Sequence, residues 1–218
     1  MKELPKQQFI SQGEDEHTQL RHIQSVLDNG CQWIQVRFKK ASKAQLLALA
    51  EKARRYCEQY QALCFINDHV DVALSVDADG VHLGLTDMPV SEARKILGEG
   101  KIIGGTANTL DDVRQRISEA CDYVGLGPYR FTTTKEKLSP ILGLEGYRDI
   151  VTALRLEGLH IPIYAIGGIR EEDIQPLYET GIYGVAASGL FLKQITKSVQ
   201  TQYFSSLPNN QRHVKDSR

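Results

Sequence analysis

The strongest constraint on this chain is a hydrophobic pattern that alternates between strand and helix along most of its length. Short apolar runs of strand length lie at Gln8–Ile10, Trp33–Val36, Leu63–Ile66, Gly80–Leu83, Ile102–Gly105, Tyr123–Gly127, Ile161–Ile166 and Ile182–Ala187. Between them, apolar residues recur three and four apart. Leu20, Ile23, Val26 and Leu27 do so, as do Leu46, Leu49, Ala50 and Ala53. The same spacing returns at Val113, Ile117 and Ala120, at Ile150, Val151 and Leu154, and at Ile174, Leu177 and Tyr178. Such stripes are the buried faces of helices. Strand alternating with helix makes βαβ units, and these make parallel sheet. Eight strand candidates in 218 residues predict an α/β fold, the single-domain (β/α)8 TIM barrel. The barrel is expected over residues 1–207, with a polar, frayed tail at 208–218. An open doubly wound sheet is the rival architecture. No Gly-x-Gly-x-x-Gly follows the first strand, which disfavours a dinucleotide-binding version. A weak internal echo supports a repeated unit. Asp79-Gly80-Val81-His82-Leu83-Gly84 resembles Asp122-Tyr123-Val124-Gly125-Leu126-Gly127, and in both an acidic residue marks the helix-to-strand turn.

A net charge of −1 offers no broad field for nucleic acid or an anionic membrane. Cys31, Cys57, Cys64 and Cys121 form no Cys-x-x-Cys pair and no zinc-like spacing, so reduced packing residues are expected. No apolar run approaches the ~18 residues of a membrane span, and the N-terminus lacks the apolar core of a signal peptide. A cytoplasmic location is the expectation. Oligomeric state is left open, a homo-oligomer included.

Active sites of such barrels form at the C-terminal ends of the strands. Strand two ends in Gln35-Val36-Arg37-Phe38-Lys39, and alternation puts Gln35, Arg37 and Lys39 on one face. An inward row of this kind needs an anion to meet it; a solvated basic face on an edge strand is the alternative. Strand three ends in Asn67-Asp68, and Asp87-Met88-Pro89 follows strand four. Each Asp either caps the helix that follows it or belongs to a carboxylate pair suited to Mg²⁺. In the loop after strand six, Thr132, Thr133 and Thr134 lie between Arg130 and Lys135. That composition suits a phosphate, and a polar surface loop is the bland alternative. Gly167-Gly168 ends strand seven and Ser188-Gly189 ends strand eight, either as a phosphate cradle or as plain turns. His82 lies within strand four and reads as a packed, satisfied histidine. Trp33 reads as core. No arrangement for nucleophilic catalysis stands out.

Taken in order, these segments resemble the thiamine phosphate synthase family. The likeness runs roughly from Phe9 to Lys193. Its carriers are Gln35–Lys39, Phe65–Asp68, Ala78–Gly84, Asp87–Pro89, Gly125–Pro128, Thr132–Lys135 and Ala165–Ile169. The resemblance implies a Mg²⁺-assisted transferase. It would join 4-amino-5-hydroxymethyl-2-methylpyrimidine diphosphate to hydroxyethylthiazole phosphate, with diphosphate as the leaving group and a ring-stabilised cation on the way. Carried over by position, Gln35, Arg37, Lys39, Asn67, Thr106 and Lys135 would hold the pyrimidine diphosphate. Arg37, Lys39 and Lys135 would be the catalytic cations. Thr132, Thr133, Thr134, Gly168, Ser188 and Gly189 would hold the thiazole phosphate, and Asp68 and Asp87 the metal. The sequence departs from the family at Leu85, where Gln is usual, at Asn108, where His is usual, and over Glu136–Gly146. The alternatives are a thiazole tautomerase on the same barrel, which would need a base that Asn108 cannot supply, and a non-catalytic phosphate-binding barrel.

Overall fold

The computed structural model describes residues 4–131 and 140–194. Thr132, Thr133, Thr134, Lys135 and the expected tail lie outside the described residues. In chain order the elements are β1 (Gln7–Ile10), α1 (Glu16–Asp28), β2 (Trp33–Val36), α2 (Lys43–Gln59), β3 (Leu63–Asn67), α3 (Val70–Ser75), β4 (Gly80–Leu83) and α4 (Val90–Leu97). They continue with β5 (Ile102–Ala107), α5 (Leu110–Ser118), β6 (Tyr123–Leu126), α6 (Gly143–Leu156), β7 (Ile163–Ile166), α7 (Ile174–Glu179) and β8 (Gly184–Ala187). A 3-10 turn, Glu171–Asp173, precedes α7. Every expected strand is present. Strand β7 starts later than its apolar run because Pro162, inside that run, has no N–H for a ladder.

The strands close in sequence order, β1 pairing with both β2 and β8, and every pair is parallel. Closure removes the edges of the sheet. It therefore overturns both the open-sheet rival and the reading of Gln35–Lys39 as an edge with a solvated basic face. The echo between Asp79 and Asp122 has a shared physical job. The Asp79 carboxylate accepts the Cys64 N–H of β3 at 2.8 Å, and the Asp122 carboxylate accepts the Ile103 N–H of β5 at 2.7 Å. Each acid ties the start of its own strand to the preceding strand. Helix starts are fixed locally too. Ser42 with Gln45, and Thr109 with Asp112, form reciprocal capping boxes.

Two apolar cores result. The larger lies between strands and helices. The smaller fills the barrel with Ile10, Trp33, Leu63, Phe65, Tyr123, Tyr164 and Ala186. Trp33 stacks edge-on with Phe65, Tyr123 and Tyr164 at centroid distances of 5.0, 4.9 and 5.1 Å. Three of these rings sit opposite a glycine of a neighbouring strand. Phe65 pairs with Gly80, Tyr123 with Gly104 and Tyr164 with Gly184. A Cβ on Gly104 would lie 2.1 Å from two Tyr123 ring atoms. All four cysteines are free, and Cys57, Cys64 and Cys121 are buried, as packing residues should be.

Gly104→Ala should therefore displace the Tyr123 ring and destabilise the fold by about 1–3 kcal/mol, the usual cost of overpacking a core. Urea unfolding of the variant beside the wild type measures this. An unchanged midpoint would mean that the ring layer has slack.

Candidate functional site

The ends of β2, β3 and β4 bring four charges together at the C-terminal rim. Gln35 faces the barrel interior and is only 2% exposed. Arg37 and Lys39 follow the strand, Arg37 half-buried and Lys39 exposed. The Arg37 backbone is held on both sides. Its N–H donates to Ser11 Oγ at 2.9 Å, and its carbonyl accepts from Gln19 Nε2 at 3.2 Å. Burial lowers the Arg37 guanidinium from its ordinary value, and the Asp68 charge opposes that shift. Asp68 follows Asn67, the last residue of β3, with φ +66°. This is the left-handed conformation that Asp tolerates better than most residues. Its N–H donates to the His82 carbonyl at 2.8 Å, which anchors it to β4.

Neither aspartate is a helix cap. His69 occupies the cap position of α3 and Pro89 that of α4, and neither helix has a side-chain cap hydrogen bond. The Asp87 carboxylate instead accepts the Gly84 N–H at 2.6 Å, folding its loop back onto β4. It also lies near enough to the Asp68 carboxyl to raise that group above its ordinary value. The capping alternative is thus overturned for both. Among the described residues, no group of three or more His, Cys, Asp or Glu is placed to hold a metal ion. Two abutting carboxylates beside a solvated rim fit a hard cation that completes its shell with phosphate oxygens and water.

Below this corner lies a polar layer. His82, 6% exposed, bridges the Tyr123 hydroxyl and Thr106 Oγ1, each at 3.0 Å. It is a satisfied histidine. The Thr106 carbonyl accepts from Arg116 Nε at 3.0 Å, and the same guanidinium reaches the Gly84 carbonyl at 2.9 Å. Arg116 thereby joins β5 to the loop that carries Asp87. No role was expected for it from sequence. The signal available was a charged residue three positions after Val113 and directly before Ile117, on a buried stripe.

The opposite side of the rim is built from the loops after β6, β7 and β8. Arg130, expected beside a phosphate, is committed elsewhere. It forms a bidentate pair with Asp173, with Nη2 2.7 Å from Oδ1, and also donates to the Gly168 carbonyl at 3.1 Å. Asp173 accepts the Arg170 N–H as well, and its carboxyl is held below the usual range chiefly by the Arg130 guanidinium. A buried carboxylate at the start of α7 captures the arginine before a ligand can. Gly168, with φ +67°, lies against the same loop, and a Cβ there would come within 2.7 Å of Arg130 Cβ. Its glycine is required by that close approach. Asn108, marked in the sequence as a departure from the family, donates its amide to the Gly127 carbonyl and so ties β5 to the end of β6. Ser188 donates to the Ile10 carbonyl at 2.6 Å, across the seam where β8 meets β1. Around Gly189 the space is open. Thr132, Thr133, Thr134 and Lys135, expected at the two phosphates, lie outside the described residues.

Burial and Asp87 push the Asp68 carboxyl up to about 7, against the pull of Lys39 and Arg37. A folded value above the unfolded one means that the folded chain keeps the extra proton between roughly pH 4 and pH 7. The associated stability is present at low pH and is lost as pH rises through about 7. In metal-free protein the urea midpoint should therefore fall between about pH 5 and pH 8. Asp68→Asn should flatten that fall and exceed the wild type at the alkaline end. Identical slopes for both proteins would show that Asp68 is not the group responsible.

Comparison with known proteins bears on the family and the fold. The family model described as thiamine monophosphate synthase matches residues 8–190. A thiamine-phosphate synthase of Flavobacterium psychrophilum is 56% identical over 185 residues, 85% of this chain and 90% of its own length. One of Flavobacterium johnsoniae is 51% identical over 197 residues, 90% of this chain and 93% of its own. The solved thiamine phosphate pyrophosphorylase of Pyrococcus furiosus superposes with a TM-score of 0.74 at 32% identity, covering 89% of this chain and 96% of that one.

Proposed function

This chain belongs to the thiamine monophosphate synthase family, and from that premise we propose how its rim performs the family's reaction. The reaction joins 4-amino-5-hydroxymethyl-2-methylpyrimidine diphosphate to hydroxyethylthiazole phosphate, giving thiamine monophosphate and diphosphate. The observation that carries the site assignment is the meeting of Arg37, Lys39, Asp68 and Asp87 at the ends of three adjacent strands.

Arg37 and Lys39 hold the diphosphate, with Asn67 at the neighbouring strand end. The bond from the pyrimidine methylene carbon to the diphosphate oxygen breaks, and the oxygen keeps the electron pair. Negative charge grows on the leaving group, so fixed cations help the transition state more than the ground state. The methylene carbon becomes cationic, and the aminopyrimidine ring spreads that charge. The thiazole nitrogen then donates its lone pair to form the carbon–nitrogen bond. No protein nucleophile is needed. Asp68 and Asp87 are the residues that would hold Mg²⁺, which when bound would add positive charge against the diphosphate. The raised Asp68 value supports this reading, because a carboxylate pair that resists ionisation together gains from a divalent cation. Gly168, Ser188 and Gly189 are assigned to the thiazole phosphate by resemblance, together with Thr132, Thr133 and Thr134, and Lys135 joins the diphosphate cations on the same ground. The barrel's own geometry disfavours a tautomerase. Asn108 stands where its base would be, and its amide is engaged by the Gly127 carbonyl.

Two predictions test the assignment by diphosphate release with both substrates present. Asp68→Asn and Asp87→Asn should each lower kcat/KM by on the order of a hundredfold at limiting Mg²⁺, the scale of one lost preorganised electrostatic contact, while circular dichroism shows an intact fold. Full turnover at low Mg²⁺ in both variants would remove the metal from these two residues. Arg37→Ala should raise KM for the pyrimidine diphosphate by roughly tenfold or more and leave KM for the thiazole phosphate near the wild-type value, since a charge-assisted hydrogen bond is worth about 1.5–3 kcal/mol. Equal losses for the two substrates would argue against separate phosphate sites.

A further inference from the structure

Four polar groups are buried inside the barrel beneath the rim: Gln8, Gln35, His82 and the Tyr123 hydroxyl. Buried polar atoms need partners, and these find them in one another. Gln35 Nε2 donates to Gln8 Oε1 at 3.3 Å, and Gln8 Nε2 donates to the Tyr123 oxygen at 3.4 Å. Tyr123 Oη then lies 3.0 Å from His82 Nδ1, and His82 Nε2 lies 3.0 Å from Thr106 Oγ1. The chain of contacts therefore runs unbroken from β2 through β1, β6 and β4 to Thr106 on β5.

With the Gln8 amide nitrogen turned to Tyr123, its direction follows from proton counting. The Tyr123 oxygen receives an N–H from Gln8, so its own single proton goes to the other neighbour, His82 Nδ1. Burial raises the Tyr123 phenol above its ordinary value, which keeps that proton in place. A ring nitrogen that accepts leaves a neutral imidazole with its proton on Nε2. That N–H points to Thr106 Oγ1, whose own hydrogen is then released toward the rim, where Thr106 is half-exposed. Turning both amides over would reverse every step. Thr106 would then donate inward and offer only lone pairs to a ligand.

We propose that His82 is a positioning residue: the one-way chain from Gln35 fixes its Nε2–H tautomer and so makes the Thr106 hydroxyl a donor that selects a ring nitrogen of the pyrimidine. An aminopyrimidine offers ring nitrogens as acceptors and its exocyclic amine as a donor. A fixed donor at Thr106 recognises the first and not the second. The ligand half of this proposal rests on the function given above. The tautomer half does not.

Nitrogen-15 spectra of histidine-labelled protein decide the tautomer without any substrate. The resonances lost in His82→Gln identify the residue. A bare Nδ1 with a protonated Nε2 is expected, and Tyr123→Phe, which keeps the ring but removes the donor, should release Nδ1 from that state. A protonated Nδ1 in the wild type would overturn the proposal. The ligand half is read with pyrimidine diphosphates in which each ring nitrogen in turn is replaced by C–H. One of them should bind the wild type at least about tenfold more weakly than the parent, the cost of an unpaired buried donor. Thr106→Val should lose that discrimination, Thr106→Ser should keep it, and Tyr123→Phe should relax it without moving KM for the thiazole phosphate. Equal binding of parent and both analogues to the wild type, or full discrimination in Tyr123→Phe, would sink the proposal. A wild type that binds no pyrimidine diphosphate would overturn the functional reading and the ligand half together, and the spectrum would still decide the tautomer.

Discussion

The packing of aromatic rings against backbone inside the barrel is the constraint on which the rest depends. Trp33, Phe65, Tyr123 and Tyr164 are large enough to fill a narrow closed sheet only if neighbouring strands carry no side chain where the rings lie. Gly80, Gly104 and Gly184 provide that space. The rings in turn make a solid floor. The polar groups from Gln8 to His82 join it through the Tyr123 hydroxyl. A barrel with a packed floor is a scaffold rather than a pore, and it holds the strand ends of the rim in register.

On that floor the two halves of the rim are built by different physics. The side made by β2, β3 and β4 concentrates charge. Arg37 and Lys39 face two carboxylates that repel each other, and the carboxylates are held together by backbone: Asp68 by its bond to the His82 carbonyl, Asp87 by the Gly84 N–H. Among the described residues, the side made by β6, β7 and β8 pairs its charges internally. Arg130 is absorbed by Asp173, and Gly168 lets the loops after β6 and β7 touch. There the described walls are preorganised by packing.

Between the halves, Arg116 and Asn108 act as ties. One reaches from α5 to the ends of β4 and β5, the other from the end of β5 to the end of β6. Neither has to touch a ligand to matter. Each satisfies strand-end carbonyls that the ladder leaves open, and so fixes the height at which Thr106 and the loop after β6 meet the site.

The sequence by itself determined the period of the chain, and through it the element order, the parallel sheet and the rim to which Gln35, Arg37, Lys39, Asn67, Asp68 and Asp87 belong. Periodicity is a local property, and strand ends follow from it. Which of several local options each residue takes was decided only in three dimensions. Asp68 and Asp87 look like helix caps in sequence because Asp before a helix usually is one; the fold places their carboxyls against each other instead. Arg130 looks like a phosphate ligand in sequence, until Asp173, 43 residues away, claims its guanidinium. His82 is one polar residue in an apolar run, and only closure of the barrel sets it between Tyr123 and Thr106. Charge pairing and hydrogen bonding across strands depend on distances between residues far apart in the chain, and no spacing along the chain contains those distances.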